Sequence, residues 1–359
     1  MEYALNLPLN SVSFGQVSFG ILRYLHEINH QPSIFTIGNP DVSSQNIDQN
    51  FGSWLQSNIN KAIKTHKRDT QILKLWHLNG GLESFSKKQN LLTFYELDSP
   101  TEEEINIIKN QNSVLVTNKY AQNIFSLCGC DNVKVVPLYF DKYNFYVKNK
   151  NFFNDGRITF NVVGKFEKRK NHEKLIKLWI KKYGNNPKYF LNCAIYNPFI
   201  SPEDNQKIWH HICGGIKYFN VDFLGLMPKN EMYNDFLNSG DIVFALGTEG
   251  WGLPEFHSVA LGKHAIVLNC AGYKEWANDK NSILINPNSK QEVYDGMFFH
   301  KGQPFNQGNI FSFSDDDFYK AIDLAVNRFK QNKINVEGLK LQENFTVQNT
   351  VTKILETLE

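Results

Sequence analysis

The sequence predicts an α/β protein of two doubly wound, parallel-sheet domains facing each other across a cleft. Three observations carry this expectation. The chain has 359 residues, more than one compact core usually holds, so two domains are expected. Short β-rich runs alternate with turns and helical patterns along its length, as parallel strands joined by right-handed crossovers require. Several of these runs are apolar without alternation, the pattern of strands covered on both faces.

In the first half the expected strands are "YALNLP", "SIFTIG", "ILKLWHL", "LLTFYEL", "SVLVTN" and "VKVVPLYF", with helical patterns at Val17–Ile28, Thr101–Lys109 and Lys119–Leu127. "SPTEEEINII" predicts a helix start with Ser99 as cap, Pro100 in the first turn and acids beside the positive helix end. The second half repeats the scheme with "ITFNVVG", "KYFLNCAIY", "VDFLGLM", "DIVFALG", "HAIVLN" and "SILINP". Between the halves, Asp141–Arg157 is polar, Asn-rich and without period, and reads as a linker. "TVQNTVTKILETLE" closes the chain with one more amphipathic helix. The expected divisions are a domain at 1–150, a second at 151–340, and a C-terminal helix at 341–359.

Composition bounds the function. Hydrophobic residues make up 42% and charged residues 21%, the balance of an ordinary soluble globular protein. Thirty-eight Lys and Arg against 36 Asp and Glu leave a net charge of only +2, which argues against nucleic acid or an anionic membrane as the main partner. "MEYALNLPLNSVSFGQ" lacks the basic leader and apolar core of a signal peptide. No apolar run approaches the roughly 18 residues of a membrane-spanning helix. Cys128, Cys130, Cys193, Cys213 and Cys270 are odd in number and scattered, without zinc-ligand spacing, and read as reduced structural thiols. The expected location is the cytoplasm, where the sequon at Asn344 would stay unmodified.

Two stretches carry chemistry. In "TEGWGLPEFHSVALGK", Thr248–Lys263, a buried strand ends in a glycine-rich loop. Pro254 then fits the first turn of a helix running to about Leu261 and closed by Gly262. The amides around Gly250–Leu253 would lie at a helix N-terminus, where they attract an anion. Glu249 would repel a phosphate, so it suits hydroxyl groups, and His257 can point back into the same cavity. A capping acid and a core histidine fit the spacing equally well. In "VVGKFEKRKNHEKLIKLW", Val162–Trp179, Lys165, Lys168, Arg169 and Lys170 crowd one loop before a helix starting at about Asn171. Cations at a helix N-terminus are unfavourable without an anion, which favours phosphate binding over a solvated charge run.

"TEGWGLPEFHSVALGKHAIVLNCAGYKEW" resembles the signature of the retaining GT-B glycosyltransferases, the nucleotide-sugar family with the E-x7-E motif. "GKFEKRKNHEKLI" is similar to the same family's diphosphate-binding loop, and "VDFLGLMPKNEMYNDFLNSGDIVFALG" to the stretch between them. The likeness is strong over about 162–287 and weaker, but in register, through "SVLVTNKYAQNIFSLCGCDNVKVVPLYFD". It implies a GT-B fold of two Rossmann-like domains, the first binding the acceptor and the second the nucleotide-sugar donor, with the last helix crossing back onto the first.

The resemblance also implies roles. Glu249 matches the first motif acid, which contacts donor-sugar hydroxyls and serves catalysis. Lys165 and Lys170 match the basic residues that hold the diphosphate, together with Gly250, Trp251, Gly252 and Leu253 of the turn. His257 falls where the family has its second glutamate, the ribose ligand. That is a departure, because an imidazole cannot chelate two hydroxyls as a carboxylate does. Glu255 cannot simply replace it, since two residues along a helix turn a side chain by roughly 200°. Gly15, in "SVSFGQVSFG", is the loop glycine expected to approach donor phosphate and acceptor. His77, in "KLWHLNGG", resembles a family histidine near the reacting sugar, and Glu96, in "FYELDSP", is an acceptor-site candidate.

Asp315–Asp317 are read as N-terminal helix charges and not as a metal-binding D-x-D. No metal or other cofactor is expected, since lysines and helix dipoles would neutralise the leaving diphosphate. The implied activity is transfer of a hexose, with retention, from a UDP- or GDP-sugar to a hydroxyl of a carbohydrate, lipid-linked or protein-glycan acceptor, in polysaccharide or glycoconjugate synthesis. The alternatives are a nucleotide-sugar epimerase, a sugar phosphorylase or an inactive nucleotide-sugar-binding protein. An NAD-dependent oxidoreductase is disfavoured, because no G-x-G-x-x-G follows the first strand.

Overall fold

The computed structural model describes residues 2–359. Its first sheet holds β1 (Tyr3–Pro8), β2 (Ser33–Ile37), β3 (Gln71–Leu75), β4 (Gln89–Thr93), β5 (Ser113–Val116) and β6 (Val133–Val135). They lie in the order β2-β1-β3-β4-β5-β6 with every neighbouring pair parallel. The helices between them are α1 (Ser13–Glu27), α2 (Gln49–Thr65), α3 (Glu102–Lys109) and α4 (Lys119–Leu127). The second sheet holds β7 (Ile158–Val163), β8 (Tyr189–Ala194), β9 (Val221–Phe223), β10 (Ile242–Ala245), β11 (His264–Leu268) and β12 (Ile283–Ile285). Its order is β12-β11-β10-β7-β8-β9, again all parallel. Helices α5 (His172–Tyr183), α6 (Pro202–Ile212), α7 (Asn230–Ser239) and α8 (Leu253–Ala260) connect it.

Every residue of β1 and β7 is buried, so both central strands are covered on both faces, Asn6, Thr159 and Asn161 being buried along with the apolar residues around them. The strand order reverses between β1 and β3 in one sheet and between β7 and β10 in the other. Crevices form at the carboxyl ends of strands beside such reversals. The candidate residues follow β1, β3, β4, β7 and β10, so the topology delivers all of them to the same region.

After β12 the chain forms an antiparallel hairpin, β13 (Ser289–Glu292) and β14 (Asn309–Ser312), then α9 (Asp315–Gln331), two short turns α10 (Val336–Leu339) and α11 (Leu341–Asn344), and α12 (Val347–Leu358). Helix α12 packs on α1 of the first domain. Val347, Val351, Ile354 and Leu358 enter one core with Leu5, Phe19 and Leu22. Burying each such side chain contributes about 1.5–3 kcal/mol, and Thr350 Oγ1 donates to the Pro137 carbonyl at 2.8 Å. The last helix crosses back, as the resemblance implies.

Some local expectations are corrected. Thr101, not Ser99, caps α3: its hydroxyl accepts from the Glu104 amide while the Glu104 side chain accepts from the Thr101 amide. Helix α1 starts at Ser13, so Gly15 lies in its first turn and not in a loop. Asp315–Asp317 do open α9, where Ser314 caps by accepting from the Asp317 amide.

The hairpin was not foreseen, and it bridges the domains along one rim. Lys290 Nζ meets Asp98 at 2.7 Å, the Asn309 amide donates to Asp98 at 2.8 Å, and the Asn306 amide donates to Glu104 at 3.0 Å. On the opposite rim Lys229 Nζ donates to the Ser43 carbonyl at 2.6 Å and the Asn230 amide to the Ser44 carbonyl at 3.0 Å.

Candidate active site

The site is assembled where two loops of the second domain are zipped together. Strand β7 ends at Gly164, whose φ of +89° and close approach to Lys170 suit only glycine. A short turn over Lys168–Lys170 follows, and Asn171, at φ 54°, starts α5. Asn171 Nδ2 donates to the Leu246 carbonyl at 2.7 Å, and the Thr248 amide donates to the Arg169 carbonyl at 2.8 Å. These bonds carry the basic loop to the end of β10 and set Lys170 beside Glu249.

The result is a buried ionic cluster. Lys170 Nζ donates to Glu249 Oε1. Arg169 Nη1 meets Glu249 Oε2 at 2.8 Å and donates to the Thr248 carbonyl at 3.0 Å. Arg169 Nε lies 2.6 Å from Glu167 Oε2 and 3.5 Å from Glu96 Oε1 of the first domain. Its planar guanidinium can join three carboxylates where an ammonium could not. Lys165 pairs with Glu167 at 2.6 Å, and its ammonium sits 4.2 Å from the centre of the Phe298 ring and 4.7 Å from that of Phe199.

Burial and neighbours sort the acids into two kinds. Burial would raise Glu249, but Arg169 and then Lys170 reverse this and hold it below the usual carboxylate range. Burial dominates at Glu96 and raises it to about 7; Arg169 opposes the rise, and the charges of Glu249 and Glu167 add to it. Glu255, on the first turn of α8, is likewise raised to about 7 by burial, with Lys170 opposing and Glu249 adding. Its Oε1 lies 3.3 Å from the Tyr273 hydroxyl, while Oε2 has no hydrogen-bond partner.

The turn before α8 is fixed by its carbonyls. Thr117 Oγ1 and Asn118 Nδ2, from the first domain, both donate to the Gly250 carbonyl at 2.6 Å. Gly252, at φ +79°, caps α8 with the Tyr273 ring where a Cβ would lie. The Trp251 side chain is core, against Phe256 and Phe345, and its carbonyl accepts from Trp276 Nε1 at 2.9 Å. Leu253 is half-buried.

His257 lies outside the ionic cluster. Its ring is buried 4.5 Å from the centre of Phe145 and 5.6 Å from Phe140, and Nδ1 has no hydrogen-bond partner. Burial alone holds it neutral, at about 3. His77 lies two residues past β3, with the Phe14 ring 4.5 Å away, edge-on. Its side chain is exposed to solvent. Partial desolvation by the surrounding protein, then the charges of Lys165 and Arg169, lowers it to about 4. Gly15 packs on Asn10, which leaves no room for a Cβ.

The structure thus brings Lys165, Lys170, Glu249, Glu96 and His77 to one cleft, and sets His257 and the Trp251 ring in apolar surroundings. Sequence reasoning counted Arg169 among the cations of the phosphate-binding loop without giving it a role of its own, and left Glu167 and Glu255 off the site. The signal for Arg169 and Glu167 was present, since both stand inside the basic run. Among the described residues no three His, Cys, Asp or Glu side chains converge as metal ligands.

No protein-family profile matches the chain. Over 199 residues it is 25% identical to the uncharacterized glycosyltransferase 335 of Sulfolobus islandicus rod-shaped virus 1. That match spans 55% of this chain and 56% of the relative, about half the length of each. Among solved structures, sucrose-phosphate synthase from Thermosynechococcus elongatus superposes with a TM-score of 0.70 at 13% identity, covering 99% of this chain and 98% of that one. HepE of Anabaena, solved with UDP and glucose, gives 0.64 at 14% identity, covering 100% and 99%. The trehalose 6-phosphate synthase of Burkholderia multivorans gives 0.62 at 11% identity, covering 100% and 96%. With its two parallel six-stranded sheets and its returning helix, the chain has the fold of the GT-B glycosyltransferases.

Proposed function

We propose that the protein is a glycosyltransferase that moves a hexose from a nucleoside-diphosphate sugar to an acceptor hydroxyl, with retention of anomeric configuration. The observation that carries this reading is the buried Lys170–Glu249–Arg169 cluster at the carboxyl ends of β7 and β10, facing Glu96 and His77 across the cleft. The sequence likeness to a viral glycosyltransferase and the shared fold support it.

As the donor's anomeric bond breaks, charge builds on the leaving diphosphate. Lys165, Lys170 and the amides of the Gly250–Leu253 turn stabilise that charge where it develops, in a site poor in water and without a metal. Arg169 keeps Glu249 ionised, so that its carboxylate accepts hydrogen bonds from sugar hydroxyls and orients the sugar. His257, kept neutral by burial, is the residue we assign to the ribose end of the donor. His77 and Glu96 face the reacting sugar and the acceptor from the first domain.

The test is a thermal-shift screen of UDP- and GDP-sugars against free nucleotides, followed by product analysis with labelled donor in the presence of EDTA. Stabilisation by one sugar nucleotide is expected by mass action, with transfer to an acceptor unaffected by the chelator. Binding without turnover would instead mark a nucleotide-sugar-binding protein, and an altered free sugar nucleotide would mark an epimerase.

A further inference from the structure

The small net charge of the chain conceals an uneven distribution. Two short segments, 61–69 at the end of α2 and 82–88 before β4, hold Lys61, Lys64, Lys67, Arg68, Lys87 and Lys88 against only Asp69 and Glu83. The fold joins them into one face. The Lys87 amide donates to the Arg68 carbonyl at 2.9 Å, and Ser86 Oγ donates to the same carbonyl at 3.0 Å. His66 Nε2 lies 2.8 Å from the Phe85 carbonyl, and Phe35 stacks on Phe85 at 4.3 Å.

Among the described residues Lys64, Lys67, Arg68 and Lys88 have no carboxylate within salt-bridge distance; Lys87 and Asp69 meet at 3.6 Å, both largely in solvent. Ile63 is 86% exposed, Leu82 57% and Phe85 47%. Unneutralised cations interleaved with exposed apolar side chains fit a partner that is anionic at its surface and apolar beneath. A soluble polyanion would answer the cations but leave the three apolar side chains in water.

We propose that this face docks on an anionic lipid surface, with Ile63, Leu82 and Phe85 entering the headgroup boundary and Lys64, Lys67, Arg68 and Lys88 meeting lipid phosphates. The face lies at the amino ends of β3 and β4, the end of the sheet opposite the cleft, so docking leaves the cleft open to a soluble donor. The inference is independent of the donor chemistry, and its failure leaves that reading untouched.

The experiment is co-sedimentation of the full chain with phosphatidylcholine vesicles, with and without phosphatidylglycerol, over a range of salt. Binding only to the anionic vesicles is expected, weakening with salt as screening shortens the reach of the charges. Lys64→Glu/Lys67→Glu/Arg68→Glu should bind at least about a hundredfold more weakly. Ile63→Asp should bind several-fold more weakly with the melting temperature of the parent, since the side chain is almost wholly exposed. Equal binding to both vesicles, or none, overturns the proposal. So does binding to heparin as tight as to vesicles with no effect of Ile63→Asp, which would mark the face as a polyanion site.

Discussion

Glu249 and His257 stand eight residues apart, on either side of one turn, and meet opposite surroundings. Glu249 is clamped by two cations in a cluster that spans both domains. His257 is enclosed by Phe140, Phe145 and Phe256 with no charged group acting on it. Between them Glu255 faces the cluster, because a side chain two residues from His257 points to the other side of α8. The rotation that keeps Glu255 from taking the place of His257 is the same one that brings it under Lys170. Equal spacing to a motif therefore does not guarantee equal chemistry; the local field decides.

That contrast can be broken from the apolar side first. A carboxylate placed among the aromatic rings has no partner, so His257→Glu should lose about 3–5 kcal/mol of stability, the scale of an uncompensated buried charge. Melting should order the proteins as parent, His257→Ala, His257→Glu. Donor KM should rise in His257→Ala if the ring nitrogen holds a ribose hydroxyl. A destabilised His257→Glu with unchanged donor affinity in His257→Ala would sink the ribose role.

On the ionic side, Glu249→Gln keeps the shape and removes the charge. Turnover should fall at least a hundredfold, on the scale of about 2.7–4 kcal/mol for a lost transition-state contact, with a smaller change in nucleoside-diphosphate affinity. Near-normal initial rates would refute the assigned role. Lys170→Ala should weaken diphosphate binding by about 1.5–3 kcal/mol, tenfold or more, and nucleoside binding far less. Lys165→Ala should act in the same direction but more weakly, because its side chain is 31% exposed and solvent screens it. Equal losses for diphosphate and nucleoside in titration calorimetry would point to local misfolding.

The smallest effect concerns protons. Glu96 and Glu255 sit near 7 in the fold against an ordinary 4.5. They therefore hold protons more tightly folded than unfolded, and their contribution to stability is lost as pH rises from about 4.5 to about 7. Glu249 works in reverse: its contribution is full above about 4.5 and is lost as pH falls toward 2. Glu255→Gln should flatten the decline of melting temperature between pH 5 and 8. Diphosphate affinity of the parent should weaken, by less than tenfold, as pH rises through 7 and carboxylates compete for Arg169 and Lys170. A pH-independent affinity would show that neither acid shares those cations with the ligand.

The parallel sheets were legible because buried parallel strands must be continuous apolar runs, and β1, β7, β10 and β11 are nearly pure examples. The hairpin was not, because "SKQE" of β13 is fully exposed and polar, so that only pairing with β14 marks it as a strand. Helix α3 shows the limit for boundaries: Ser99, Pro100 and Thr101 all suit a start, and only the reciprocal bond with Glu104 selects Thr101. At the site the charged loops were visible as composition, but which cation meets which acid depends on Asn171 and Thr248 drawing two distant loops together. The basic face at 61–88 was hidden for a related reason, since net charge averages over the whole chain.

The returning helix α12 has a consequence for how the molecule is made. The sheet of the first domain is complete at Val135, but Val347, Val351, Ile354 and Leu358 finish the core around α1. During synthesis the first domain emerges with an apolar strip of α1 uncovered, and the whole second domain must leave the ribosome before the covering helix arrives. Contacts so distant in sequence close slowly, and exposed apolar surface invites aggregation in the interval. A nascent chain halted before Thr346 should thus be sticky and protease-sensitive at α1, and release of the last helix should seal it in a single late step.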